Sequence, residues 1–324
     1  MEQRVESHVK LEFDPAPSHE KILNATLKRM KDRKDVKKMS EVRQELLVLL
    51  CRAKLDNYET EGAVPPQLRG QAKLHKEGEP MREIANSVNA PGHKLAKTLN
   101  KIFERYTCQT TTAVNGGKQL IEMIKNGRFN NKFLASCDAV ALYPSIMVEE
   151  GLEILSQKIN DDEKLKEKTD LEKAEVMELA RLCTENPYFE CDQLGFFSQS
   201  KGTHMGGPLS RLLADLIIEN KIEMQIKKHK KWKKIWDWAR LIDDTLSAWE
   251  SEEIFLEFFQ YLNTIHPGIK WTNETEKDGK LAIFDILIMR GKMGCRQQYT
   301  GRRQLRIDTY TILHHKHGER KCVP

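Results

Sequence analysis

The stretch "WARLIDDTLSAWE", Trp238 to Glu250, sets two acids side by side, Asp243 and Asp244, inside an apolar run. Leu241 and Ile242 precede them, and Thr245 and Leu246 follow. The apolar and aromatic residues on either side read as strand–turn–strand. Two carboxylates about 4 Å apart repel by roughly 4 kcal/mol at an effective dielectric near 20. A chain that keeps both has use for a cation between them. Mg²⁺ suits the place, because it takes oxygen ligands and keeps positions open for a substrate phosphate. The plainer alternative is a type I′ turn tip with both carboxylates in water. The chain carries its own contrast in Asp161-Asp162, which lies in "QKINDDEKLKEK", polar on both sides, and reads as solvated surface.

A third acid extends the reading. Asp138 closes the apolar strand "KFLASCD", and the aromatic Tyr143 follows shortly after it. A strand ending in Asp, then an aromatic, then a strand–Asp-Asp–strand unit supplies what two-metal phosphoryl transfer needs. In that arrangement Asp138 and Asp243 bridge two Mg²⁺ ions roughly 3.5–4 Å apart, one activating a 3′-hydroxyl and one holding the triphosphate.

Composition fits a nucleic-acid partner. The chain has 324 residues, 39% hydrophobic and 31% charged, with a net charge of +5. Its basic residues cluster in "KRMKDRKDVKK" (Lys28 to Lys38), "KKHKKWKK" (Lys227 to Lys234) and "RRQLR" (Arg302 to Arg306). Such runs favour a polyanion, with a solvated helix face as the alternative for each. A nuclear localisation patch is a further alternative for the second. The seven cysteines form no C-x-x-C pair and are odd in number. That argues against a disulfide framework or a structural zinc site, and for a reducing compartment. No apolar run approaches the ~20 residues a membrane span requires. The expectation is a soluble intracellular protein, nuclear or cytoplasmic.

Residues 18 to 56 read as helix, with Ser40 capping its second half. The prolines and glycines of "EGAVPPQLRG" mark a boundary near residue 61. "KLAKTLNKIFERY" (94 to 106) reads as helix, and Phe133 to Val140 as strand. "KTDLEKAEVMELARLC" reads as helix with Thr169 and Glu172 in capping-box spacing. "YFECDQLGFFSQ" reads as two strands. Pro208 suits a first helical turn, and Leu209, Leu212, Leu213, Leu216 and Ile217 form one stripe after it. "IKWTNETEKDGKLAIFDILIMR" reads as a hairpin turning at Asp278-Gly279. The order implies an α+β chain with an antiparallel sheet packed on helices.

From about Gln67 to Tyr310 the chain resembles a reverse transcriptase, specifically of the Penelope-like retroelement group. "GQAKLHKEGEPMREI" (70 to 84) resembles the group's fingers segment. "SCDAVALYPSI" resembles its first catalytic motif, and "YFECDQLGFFSQSKGTHMGGPLSRLLADLIIE" the segment ending in Gly-x-x-Met-Gly-Ser-Pro-Leu-Ser. "RLIDDTL" resembles the Tyr-Val-Asp-Asp-Thr-Phe turn, and "GKLAIFDILIMR" the palm–thumb junction. The five keep their order.

The resemblance implies a right-hand polymerase with palm and fingers, an antiparallel palm sheet on helices, and a truncated or absent thumb. It divides the chain into an N-terminal helical extension (1–60), fingers (61–135), palm (136–300, with a fingers insertion about 150–192) and the start of a thumb (301–324). It makes Asp138, Asp243 and Asp244 the catalytic, metal-binding set for two Mg²⁺ (or Mn²⁺). Tyr143 becomes the steric gate against a 2′-hydroxyl, and Arg82 the triphosphate contact. Lys73 and Lys76 take basic fingers positions. Gln199, Gly202, Met205 and Gly206 form the loop under the template base and incoming nucleotide, where glycine permits close approach.

Plainer alternatives are a core tyrosine at 143, core packing for Met205, and surface charge for the two lysines. Leu241, Glu83, Arg211 and Gly207 depart from the group's pattern, and no GIY-YIG-type pattern follows. The implied partners are an RNA or DNA template with its primer, and dNTPs. The implied activity is RNA-directed DNA synthesis. The alternative is an inactive, truncated remnant that binds nucleic acid. "DAVALYPSIM" also resembles family B DNA polymerases, but no Tyr-x-Asp-Thr-Asp-Ser accompanies it.

Overall fold

A computed structural model describes residues 8–36, 64–72, 81–114, 116–126, 129, 132–185, 187–191, 194–230, 232, 235–283, 286–290, 304–306 and 310–314. The first half of the chain contributes strand β1 (His8–Leu11), helix α1 (Ala16–Val36), β2 (Gln67–Ala72), β3 (Met81–Asn86), α2 (His93–Phe103), α3 (Gly117–Lys125), β4 (Phe133–Ala139) and α4 (Val148–Asn160). Next come α5 (Lys173–Thr184), β5 (Tyr188–Cys191), β6 (Gly195–Gln199) and α6 (Ser210–Ile217). A π-helical turn, Ile218–Glu223, and Met224–Lys228 continue α6. Strands β7 (Ile235–Leu241) and β8 (Asp244–Trp249), helix α7 (Glu252–Ile265), then β9 (Trp271–Thr275), β10 (Lys280–Ile283), β11 (Ile286–Arg290), β12 (Gln304–Arg306) and β13 (Tyr310–His314) complete the order.

The chain divides into two compact units, each assembled from two segments: Met1–Thr107 with Tyr143–Ile217, and Cys108–Leu142 with Ile218–Pro324. In the first unit a five-stranded sheet runs β1-β6-β5-β2-β3. Its pairings are antiparallel except β2 with β5.

Helix α1 belongs to this unit's core. Leu23, Leu27 and Met30, at helical spacing, are fully buried. His19 ties the helix down through both ring nitrogens, to the Tyr188 hydroxyl and the Leu182 carbonyl, each at 3.0 Å. Burial holds the His19 pKa below its ordinary value. The helical expectation for residues 18 to 56 therefore holds from Ala16 to Val36; Ser40 and the rest lie outside the described residues. Leu27→Ala is expected to cost about 2–5 kcal/mol of unfolding free energy, as a cavity in a closed core does. Urea denaturation measures it, and a loss under 0.5 kcal/mol would mean that α1 merely rests on the surface.

Two local expectations are corrected. The capping box of α5 is not Thr169/Glu172 but Glu172/Glu175, with the Glu172 N–H donating to Glu175 Oε2 at 2.7 Å. Thr169 instead accepts from the Leu171 N–H at 3.2 Å. The turn it closes moves the first helical residue on to Lys173. Likewise, Pro208 precedes the helix, which begins at Ser210.

The second unit holds the four-stranded antiparallel sheet β7-β8-β4-β9 and a second sheet, β10-β11-β13-β12. One face of the first sheet packs on α7. Trp249 meets Phe255 and Phe258 with ring centroids 5.5 and 4.8 Å away, and Trp238 meets Phe258 at 6.0 Å. The other face carries Leu134, Leu246 and Ala248. They join Leu120, Ile121 and Ile124 of α3, and Leu281, Ile283, Ile286 and Ile288 of β10 and β11.

The predicted turn at Asp278-Gly279 is present, with φ of 51° and 68° and a Lys277–Lys280 bridge around it. Both positive values make it type I′. Its flanking strands do not pair with each other as a hairpin, however. β9 pairs with β4, and β10 pairs with β11. Burial decides this. β10 alternates exposed and buried residues, and its buried Leu281 and Ile283 join the core from the second sheet.

Candidate active site

The geometry of the aspartates follows from strand register. β4 and β8 pair antiparallel, with Asp138 directly opposite Asp244. The Ala139 N–H donates to the Asp243 carbonyl at 3.1 Å, which makes 139/243 a hydrogen-bonded position. The 138/244 pair, one step along, is then non-hydrogen-bonded, the kind that brings facing side chains nearest, with Cβ atoms about 4.5–5.5 Å apart. Both carboxylates share the face of Leu134, Leu246 and Ala248, at its open end, where both are half-buried. Asp244, rather than Asp243, thus stands across from Asp138.

Asp243 occupies the second central position of the two-residue turn between β7 and β8, closed by Leu241 and Asp244. Only the first central residue, Ile242, has a positive φ, 60°. That pattern is type II′, not the type I′ tip considered for a solvated pair. A β-branched residue at that φ is strained, at a cost on the order of 1–3 kcal/mol.

The donor set suits Mg²⁺. It is all carboxylate oxygen, and Mg²⁺ is held by one or two carboxylates with substrate phosphates completing its shell. Register sets two carboxylates opposite each other and the adjoining turn supplies a third. Among the described residues, no three His, Cys, Asp or Glu side chains already converge on one point.

The remaining predicted residues fall in the first unit. Arg82 lies in β3, opposite Gln71 of β2. Lys73 and Lys76 lie outside the described residues. The 203–206 loop runs along β3, with Ile84 and Met205 bridged in parallel and the Ala85 N–H donating to the Met205 carbonyl at 2.9 Å. Gln199 is buried, and its amide donates to the Lys201 carbonyl at 2.7 Å, bracing the same loop. Tyr143 is half-buried and accepts the Thr203 N–H on its backbone carbonyl at 2.8 Å. Backbone pairing therefore gathers Tyr143, Gln199, Gly202, Met205, Gly206 and the strand of Arg82.

The two glycines have φ of 70° and 110°. A Cβ would come within 2.3 Å of the Pro144 carbonyl oxygen at Gly202, and within 2.3 Å of the Ala85 carbonyl oxygen at Gly206. The close approach that the structure contains is to the chain's own backbone. His204, between them, is held neutral, its pKa pushed down to about 4 by burial.

Sequence reading missed a buried polar network behind the Asp243–Asp244 turn. Arg240 of β7 donates from Nε to Glu223 Oε1 at 2.9 Å, from Nη2 to Glu219 Oε1 at 3.0 Å and from Nη1 to the Ile242 carbonyl at 3.2 Å. All three charged residues are buried. The signal was the i, i+4 pair Glu219 and Glu223, set among Ile218, Ile222 and Ile226 in "LIIENKIEMQI".

No protein-family model matches the chain, and no curated protein matches it in sequence. Its fold has known counterparts. The RNA-dependent RNA polymerase of BmCPV in its quiescent state aligns with a TM-score of 0.51 and 12% identity, over 84% of this chain and 26% of the viral one. The same enzyme at its elongation state aligns with a TM-score of 0.51 and 12% identity, over 83% and 27%. Telomerase from Candida tropicalis, in complex with a fragment of telomeric RNA, aligns with a TM-score of 0.49 and 12% identity, over 75% and 46%. This chain thus spans about a quarter of the viral polymerase chains and about half of the telomerase. The viral alignments identify a nucleic-acid-polymerase-related α+β fold, and at this identity the likeness is one of fold alone. No helix among the described residues is long and apolar enough to cross a membrane.

Proposed function

We propose that the chain is the catalytic core of an RNA-directed DNA polymerase of the Penelope-like retroelement kind. It would join dNTPs to a primer 3′-hydroxyl on a nucleic-acid template. The observation that carries this is the placing of Asp138 and Asp244 as a facing, non-hydrogen-bonded pair, with Asp243 on a strained turn beside them. The ordered motifs of the sequence and the polymerase-related fold support it.

Asp138, Asp243 and Asp244 would hold two Mg²⁺ ions, which when bound lower the pKa of the 3′-hydroxyl and neutralise charge on the departing pyrophosphate. Held oxygen ligands let the protein act mainly by positioning, which is most of what phosphoryl transfer requires. Arg82 would meet the triphosphate, and Tyr143 would exclude a 2′-hydroxyl.

Primer extension on an RNA template with Mg²⁺ and dNTPs tests the proposal. The parent extends the primer, and Asp243→Asn lowers the rate by about 10³-fold or more, the scale of losing a metal-supporting carboxylate. Equal extension by both proteins would sink it.

A second reading, a nucleic-acid-binding remnant without turnover, rests on the motif departures at Leu241, Glu83, Arg211 and Gly207. It predicts duplex binding that weakens steeply with salt and no extension by either protein.

A further inference from the structure

We infer that Arg240 is a positioning residue that clamps the Ile242 peptide and so fixes the Asp243–Asp244 turn. Its catalytic consequence rests on the polymerase reading; the clamp itself does not.

The Arg240 guanidinium is a rigid planar fork. Two of its three nitrogens are held by carboxylates on consecutive turns of one helical segment, Nε by Glu223 and Nη2 by Glu219. With those directions fixed, the third nitrogen can point only one way, and Nη1 meets the Ile242 carbonyl at 3.2 Å.

The glutamates are braced in turn. Thr112 Oγ1 donates to Glu223 Oε2 at 2.8 Å, and the Cys108 N–H donates to Glu219 Oε1 at 2.7 Å. The Arg240 backbone is held on its outer edge, its N–H by the Thr112 carbonyl and its carbonyl by the Val114 N–H, both at 2.8 Å. The connections from Arg240 to Glu219, Glu223, Thr112 and Val114 are thus braced, and the one to Ile242 carries their hold to the turn.

That connection falls on the residue with an unfavourable backbone. Ile242 sits at φ 60°, where an isoleucine left to itself would relax. Its relaxation would rotate the peptide leading into Asp243. A buried ion network is weak grounds for stability, since apolar residues of equal volume often serve as well. Its use here is directional, since it aims a donor at the turn.

The test compares Arg240→Lys, Ile242→Gly and the double variant. Lysine keeps the charge but loses the fork, and glycine holds φ 60° without help. Amide hydrogen exchange over Leu241–Thr245 is read in the free protein. Arg240→Lys is expected to speed exchange there roughly tenfold more than across Glu252–Ile265, and adding Ile242→Gly to restore most of the protection. In primer extension Arg240→Lys lowers kcat about tenfold with dNTP KM nearly unchanged, as an interaction made only in the transition state does.

Exchange rising evenly across the unit, or a double variant no better than Arg240→Lys, would show a merely structural arginine and overturn the inference. If Arg240→Lys does not fold, Glu219→Gln, which keeps the acceptor and drops its charge, carries the same comparison with the same two outcomes. A parent that shows the exchange pattern but extends no primer sustains the clamp and removes the polymerase reading instead.

Discussion

Asp138→Asn is expected to remove Mg²⁺-dependent stabilisation from the protein while leaving its metal-free stability intact. Asp138 lies on β4, the second strand in from the β9 edge of its sheet, which is paired with β8 on one side and β9 on the other. Asparagine preserves its shape, and its backbone keeps the carbonyl that accepts from Thr272 Oγ1 at 3.3 Å. Removing one of two like charges facing across a ladder relieves rather than adds cost, by about 0.2–1 kcal/mol. The metal-free variant should therefore melt no lower than the parent.

With Mg²⁺ the order reverses. An ion that binds only the folded state stabilises it by about 2.7 kcal/mol at a hundredfold excess over its Kd, several degrees of Tm for a chain of this size. The parent should show that shift in a melting series with rising Mg²⁺ or Mn²⁺, and the variant should not. Extension by the variant should fall about 10³-fold. A parent whose Tm ignores both ions, or a variant whose Tm rises as the parent's does, would leave the aspartates without a metal role.

The central hairpin was legible in the sequence because its signals are local. Apolar residues on both sides of Asp243-Asp244 define two strands, and a two-residue connection leaves little freedom of register. The strand ending at Asp138 was legible for the same reason. What the sequence could not give was pairing between distant elements. Asp278-Gly279 marks a turn, but which sheet each flank joins depends on the core that buries Leu281 and Ile283. Arg240 reads as an ordinary polar strand residue until Glu219 and Glu223 are folded against it. That α1 is a helix was legible in the sequence. That Leu23, Leu27 and Met30 complete the core of the first unit depends on elements far along the chain, such as Tyr188 and Leu182.

Glycine 202 separates a local reading from a tertiary one, and the largest stability loss is expected there. The motif it belongs to suggests a backbone kept bare for a nucleotide. The structure shows that backbone against another segment of the same unit, with the Thr203 N–H bonded to the Tyr143 carbonyl at 2.8 Å. A Cβ at 202 would lie 2.3, 2.4 and 2.5 Å from the O, C and Cα of Pro144. None of these is a side-chain end that can swing away, so alanine must pry two backbones apart. It must also accept φ 70°, which alone costs about 1–2 kcal/mol. The sum places Gly202→Ala at the severe end for a point change, roughly 4–5 kcal/mol.

Gly116→Ala supplies the control. Its φ is 130°, and a Cβ there meets nothing within 4 Å, so it carries a backbone cost without a clash. Denaturant unfolding of both variants compares the two. A Gly202 variant much less stable than the Gly116 variant means that the loop is built on packing, and lost synthesis follows from a lost fold. Equal stabilities, with dNTP affinity lost only at 202, would mean that the bare backbone serves the nucleotide after all.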